Sequence, residues 1–162
     1  GDATDVGNLT VARYGPAGQS STTHGYTSGG DDGTYSNVID KFSFTSDGDA
    51  SDVGNLSVAR SMLAGQSSST HGYTSGGTDG SASNVIDKFS FSSDGDASDV
   101  GNLTVARNRV AGQSSTTHGY SSGGSTGSNS NVIDKFSFTS DGDASDVGDL
   151  SVTRMTVVGQ HY

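Results

Sequence analysis

The stretch His24-Gly25-Tyr26-Thr27-Ser28-Gly29-Gly30 returns unchanged from His71 to Gly77, and from His118 to Gly124 with Ser121 in place of threonine. The three copies stand 47 residues apart. A word that recurs without drift marks a unit of structure, and a missed period misassigns a whole fold. Working outward, SNVIDKFSF occupies 36–44, 83–91 and 130–138. DATDVGNLTVAR at 2–13 returns as DASDVGNLSVAR at 49–60, DASDVGNLTVAR at 96–107 and DASDVGDLSVTR at 143–154. The 162 residues hold three full units and part of a fourth.

Composition and pattern pull in opposite directions. Leu, Ile, Val and Phe make up 28 of the 162 residues, and the net charge is −10. That combination favours a solvated, disordered chain. The apolar residues nevertheless recur in fixed slots between turn residues, which disorder has no physical reason to maintain, so the pattern decides for a folded chain. Burial per residue must then be modest and backbone hydrogen bonding extensive. With no Cys, disulfides, thiolate metal sites and cysteine nucleophiles are ruled out. No apolar run approaches the roughly 18 residues of a membrane helix, so a soluble chain without membrane insertion is expected. Only eight Lys and Arg stand against eighteen Asp and Glu, which disfavours nucleic acid as a partner.

Within one unit the sequence predicts four short strands. Ala64 to Ser68 is small and featureless. Thr70 to Ser75 surrounds Tyr73 and stops at Gly76-Gly77, where paired glycines allow a sharp turn. Asn84 to Phe91 alternates, with Val85, Phe89 and Phe91 on one side, Ile86, Lys88 and Ser90 on the other, and Asp87 intruding among the apolar residues. After the polar turn SSDGDASD, Val100 to Val105 forms the fourth strand. Four strands in a tandem unit of this length are the pattern of a β-propeller blade.

A strand ending in Gly-Gly, a variable turn, an aromatic-bearing strand, a polar loop, a hydrophobic slot and an Arg together resemble the Kelch repeat. The tryptophan of the Kelch fourth strand is missing here, with Val53 and Leu56, or Val100 and Leu103, near its place. The near-identity of the units, and the phrase VIDKFSFTSDGDASDVGNL, are also similar to repetitive Kelch-like proteins of aquatic bacterial viruses. The resemblance implies an all-β fold of Kelch-like propeller blades with four antiparallel strands each, three full and one partial. Its boundaries are an outer-strand remnant at 1–12, blades at 13–59, 60–106 and 107–153, and an inner-strand remnant at 154–162. Propellers close with about four to eight blades, so one chain is expected to be part of a larger array or a homo-oligomer. Two copies come close to seven units. After Arg154 the chain departs from the repeat, and Val157 and Val158 are expected to pair with something beyond the third blade.

Several repeated groups could carry chemistry. The acidic turn brings Asp47, Asp49 and Asp52, then Asp94, Asp96 and Asp99, then Asp141, Asp143 and Asp146 within six residues each, a spacing that could supply oxygen ligands to calcium. It is no EF-hand loop, and the competing reading is a turn whose side chains cap backbone amides. No other cofactor is indicated. His24, His71 and His118 could in principle hold zinc, although their identical places in separate blades keep them apart and favour a structural role. Arg13, Arg60, Arg107 and Arg154 are read as forks of donors that tie blades together through carbonyls or an Asp. Asn8, Asn55 and Asn102 match the glycosylation acceptor pattern, and Asp149 replaces the fourth. Serine, histidine and aspartate recur identically in every unit and single out no catalytic cluster, so no enzyme is expected.

The units differ most at two places. The turn after Gly-Gly reads DDGTYSN at 31–37, TDGSASN at 78–84 and STGSNSN at 125–131, and the stretch after each Arg begins YGP, SML, NRV or MTV. Variation concentrated at two loops on a repeated scaffold is what a binding surface shows, and equally what drift in exposed turns produces. Tyr14, Tyr35, Met62, Arg109 and Met155 are the expected contacts. The expected role is a non-enzymatic module of an extracellular or virion appendage, of fibre or receptor-binding type, that recognises a cell-surface glycan or receptor. The alternative is a structural repeat protein that joins chain to chain into a fibre or shared ring.

Overall fold

The computed structural model describes residues 2–156. It is all-β, with twelve strands in three four-stranded antiparallel sheets. The first sheet runs β1 (Ala17–Ser20), β2 (His24–Ser28), β3 (Val38–Ser43) and β4 (Ser51–Asn55). The second runs β5 (Ala64–Ser67), β6 (His71–Ser75), β7 (Val85–Ser90) and β8 (Ser98–Asn102). The third runs β9 (Ala111–Ser114), β10 (His118–Ser122), β11 (Val132–Ser137) and β12 (Ser145–Asp149). Each sheet is a meander in chain order, the unit the repeat predicts. Strands β1, β5 and β9 lie side by side, so the sheets fan out from their first strands, and they do not close into a ring.

Local chemistry explains each turn. Ser68 accepts the His71 amide proton on its hydroxyl at 2.9 Å, and the Ser68 amide donates to the His71 carbonyl at 2.9 Å, which fastens the β5–β6 turn. The glycine pair after β6 serves a close approach: a Cβ on Gly76, whose φ is 66°, would stand 2.6 Å from the Arg107 carbonyl.

The last strand of each sheet differs from expectation. Val100 to Val105 is predicted as a strand, but the ladder holds only Ser98–Asn102. Its register shifts between Ile86 and Asp87, a bulge that puts one extra residue, Val100, into β8 in mid-ladder. Leu103 then turns into the core at 3% exposure, and residues 104–107 leave the sheet to serve the next one.

The core lies between the sheets. Tyr26 of the first sheet stacks on Phe91 of the second with ring centroids 4.9 Å apart and meets Phe89 at 5.4 Å. Tyr73 meets Phe138 at 4.7 Å and Phe136 at 5.7 Å across the next junction. Ile39 and Leu56 join the first cluster, Ile86 and Leu103 the second. Because the middle sheet is covered on both sides, β7 buries Ile86, Asp87 and Phe89 together rather than one alternate set. Full burial of a side chain of this size contributes about 1.5–3 kcal/mol.

Polar links repeat at the same junctions. Gln19 donates from Nε2 to the Tyr73 carbonyl at 3.0 Å, and Gln66 does the same to the Tyr120 carbonyl at 3.0 Å. The N-terminal segment behaves as an outer edge would. Gly48 and Ala50 donate to the carbonyls of Val6 and Asn8, just as Gly95 and Ala97 donate to Val53 and Asn55. Val157 and Val158 lie outside the described residues.

Candidate functional site

The two variable stretches meet at one end of the sheets. Asp31, just past the Gly-Gly turn, bridges to Tyr14 on one side and Tyr35 on the other, and the Tyr14 and Asp31 backbones exchange two hydrogen bonds of 3.0 Å. The next units repeat this three-residue ladder as Ser61, Thr78 and Ala82, then Asn108, Ser125 and Asn129. The phenol of Tyr14 donates to Asp31 Oδ2 at 2.8 Å, and this hydrogen bond to a carboxylate raises the tyrosine's pKa. Asp32 is held below the usual carboxylate range, chiefly by the backbone N–H of Thr34 and then by its hydroxyl.

A second line of bonds crosses from unit to unit. Met62 donates its amide to the Gly15 carbonyl at 2.7 Å, Arg109 to the Met62 carbonyl at 2.7 Å, and Thr156 to the Arg109 carbonyl at 3.1 Å. All four residues are left-handed, with φ of 63° at Gly15, 55° at Met62, 54° at Arg109 and 57° at Thr156. Only the first is glycine. A side chain in this region costs on the order of 1–2 kcal/mol, so the other units hold Met, Arg and Thr there against a local penalty. Together with Tyr14, these four positions line a shallow groove. Arg109 reaches Met155, Nη1 to Sδ, at 3.4 Å. All five side chains expected to make contacts therefore sit on this end, with Tyr14 59%, Met155 41% and Tyr35 38% exposed.

The arginines take a different place. Arg60 donates from Nη1 to the carbonyls of Gly76 and Val85 and from Nη2 to Asp87 Oδ2 at 2.6 Å, with both side chains out of contact with water. Ser57 Oγ donates to the other oxygen of Asp87 at 2.5 Å. Arg13 with Thr10 on Asp40, and Arg107 with Thr104 on Asp134, repeat the arrangement. The carbonyl of Arg60 meanwhile accepts from Gly30 of the preceding sheet at 2.8 Å. One residue thus pins two sheets, its backbone to the first and its guanidinium to the second. Burial pulls the pKa of Arg60 down while Asp87 opposes, and an arginine remains charged throughout. Arg154 is exposed.

The acidic turn does not gather its carboxylates. Asp94 pairs with Lys41 of the preceding sheet at 2.5 Å, Asp96 accepts from the Asn55 amide nitrogens, and Asp99 accepts from the Gly101 backbone two residues on. Asp141, Asp143 and Asp146 repeat this division, and Asp49 and Asp52 take the same roles in the first turn. Among the described residues no three His, Asp or Glu side chains stand close enough to hold a metal ion, so neither the calcium nor the zinc arrangement is assembled. The histidines open β2, β6 and β10, each with Nδ1 against the preceding threonine hydroxyl. The side-chain nitrogens of Asn8, Asn55 and Asn102, where a glycan would attach, are engaged by Asp49, Asp96 and Asp143.

Sequence reasoning missed the glutamines. Gln19 and Gln66 are buried bridges between sheets, and their signal was one glutamine per unit in an otherwise small-residue strand. No protein-family model matches the chain, and no curated protein matches it either.

Proposed function

We propose that the chain is a non-enzymatic, Kelch-like propeller module that recognises a surface partner through the end carrying Tyr14, Tyr35, Met62, Arg109 and Met155. One observation carries this reading: the two stretches that differ most between units are joined by backbone bridges on one face, while the buried core and its Arg–Asp pairs are alike from unit to unit. Left-handed Met62 and Arg109 add support, since non-glycine residues in strained backbone cluster at binding sites. Exposed tyrosines, an arginine and aspartates suit a glycan, whose rings stack on aromatic faces and whose hydroxyls take up polar groups. The groove is shallow, which favours an extended ligand lying across several sheets over an enclosed small molecule. The buried Arg–Asp pairs are alike in all three sheets and shut off from substrate, which is structural chemistry. An extracellular or virion appendage is the setting that fits such a module.

The test is binding of the 162-residue chain to glycan arrays and to whole bacterial cells. Replacement of Tyr14, Tyr35 and Arg109 together by alanine is expected to abolish binding while the far-ultraviolet spectrum and Tm are kept. Undiminished binding would overturn the reading. The second reading, chain-to-chain assembly, draws on a different face, where Phe44 stands 54% exposed.

A further inference from the structure

We infer that the recognition end proposed above, on which this reading rests, takes a glycan of otherwise neutral sugars carrying one oxyanion, a carboxylate or a phosphate, held by Arg109 over the third sheet. The neutral stretch then runs toward Tyr14 and Tyr35 at the first sheet. Most cations of the chain belong to a repeated series with a structural task. Arg13, Arg60 and Arg107 are buried on Asp40, Asp87 and Asp134, and Lys41 and Lys88 pair with Asp94 and Asp141. Arg154 and Lys135 are the next members of these two series. Arg109 belongs to neither, because its place is held in the other units by Gly15, Met62 and Thr156. Among the described residues it has no ion pair, and its one side-chain bond goes from Nη1 to the weak acceptor Met155 Sδ at 3.4 Å. The side chain is exposed. A guanidinium held without a carboxylate, in a chain of net charge −10, can meet an oxyanion with two parallel N–H donors.

The carboxylates that stand outside the repeated series at this end point the same way. Asp31 is replaced by Thr78 and Ser125 in the later units, and Asp32 and Asp79 by Thr126 in the third. The turn does not need them. Its backbone closes alike in every unit, with the amide of Asp32 on the Thr34 carbonyl at 3.2 Å, Asp79 on Ser81 at 3.3 Å and Thr126 on Ser128 at 3.0 Å. The first ladder therefore carries two carboxylates, the second one and the third none, with Arg109 beside it. These ladders follow one another in the order of the sheets, linked by the amides of Met62 and Arg109. The potential across the face thus rises from negative at the first sheet to positive at the third, which gives a bound ligand a direction. One anionic group is attracted to the third ladder and repelled by the first two, so a densely charged polymer is disfavoured. Tyr14 and Tyr35, both exposed, offer ring faces to the neutral sugars.

The experiment is binding of the 162-residue chain to matched oligosaccharides on an array. One is neutral, one is the same sugar ending in a carboxylate, one the same sugar ending in a phosphate, and a densely sulfated polysaccharide completes the set. A singly charged form is expected to bind about tenfold tighter than the neutral one, with the gap narrowing as salt is raised. Whichever of the two binds tighter names the oxyanion. R109Q, once shown to keep the spectrum and Tm, should bring the charged and neutral forms level, and R109K should keep part of the preference, results that loss of a packing contact would not produce. D32N/D79N should improve binding of the sulfated polymer. Equal binding of charged and neutral sugars, a preference that R109Q leaves in place, or tightest binding of the polymer to the unaltered chain overturns the inference. If replacement of Tyr14 and Tyr35 still abolishes binding in those cases, the recognition end stands without it. If no sugar binds at all, both fall.

Discussion

Arg60 and Asp87 leave water together, and removal of one member leaves the other as an uncompensated buried charge. Arg60→Ala is therefore expected to cost about 3–5 kcal/mol in urea unfolding. The pair Arg60→Met with Asp87→Leu is expected to cost less than either single change; a double variant as damaged as the sum of the two would show no coupling. Tyr73 supplies a second residue-level test, since burial pushes its pKa up to about 12. An acid with a raised folded pKa favours its neutral form in the folded state. Its contribution is whole below the unfolded value of about 10 and is lost as pH rises from there through about 12. An ultraviolet titration should show one tyrosine ionising near 12 that Tyr73→Phe removes. An unchanged curve in that variant would contradict the burial. His71 works from the other end of the scale: burial first, then Lys88, lowers its pKa. Its share of stability is present above about 6.5 and falls as the solution is acidified through that value.

At the scale of the strand, one word has different consequences in different places. Gly18 and Gly65 occupy the same slot in β1 and β5, yet only Gly65 faces a backbone carbonyl of the neighbouring strand. Gly65→Ala is expected to lower stability by about 1–3 kcal/mol or more, and Gly18→Ala to stay within about 0.5 kcal/mol in the dilute monomer. Equal losses in thermal melts would show that the first strands do not pack as described. The contrast also marks what a single sequence can convey. The 47-residue period, the Gly-Gly stop and the alternation in VIDKFS made the four-stranded sheet legible, because each is a local property of backbone and side chain. Asp87 looked like an intruder because its partner Arg60 lies outside its strand. The fourth strand was placed two residues late because Leu103 to Arg107, which continue its apolar pattern, turn instead into the core and onto Asp134 of the next sheet, contacts that no local pattern carries. Among candidate site residues, variation between units marked positions that the structure brings together at one end of the sheets. The aspartates, clustered in sequence, are scattered by their partners in space.

For the molecule as a whole, near-identical interiors and one variable end amount to a division of labour. Strained backbone at that end should be expendable for folding: Met62→Gly is expected to leave stability unchanged or raise it by up to about 1 kcal/mol, and a loss larger than that in urea unfolding would contradict the strain. The central claim is that this end meets the partner, and hydroxyl-radical footprinting tests it most directly. The chain would be oxidised alone and then bound to the glycan selected on the array, with modified side chains read by mass spectrometry. Reduced oxidation at Tyr14, Tyr35, Met62 and Met155, with Phe44 and the histidines unchanged, is the predicted result. Protection centred on the acidic turns or the histidine end, with the four variable side chains as reactive as before, would contradict it.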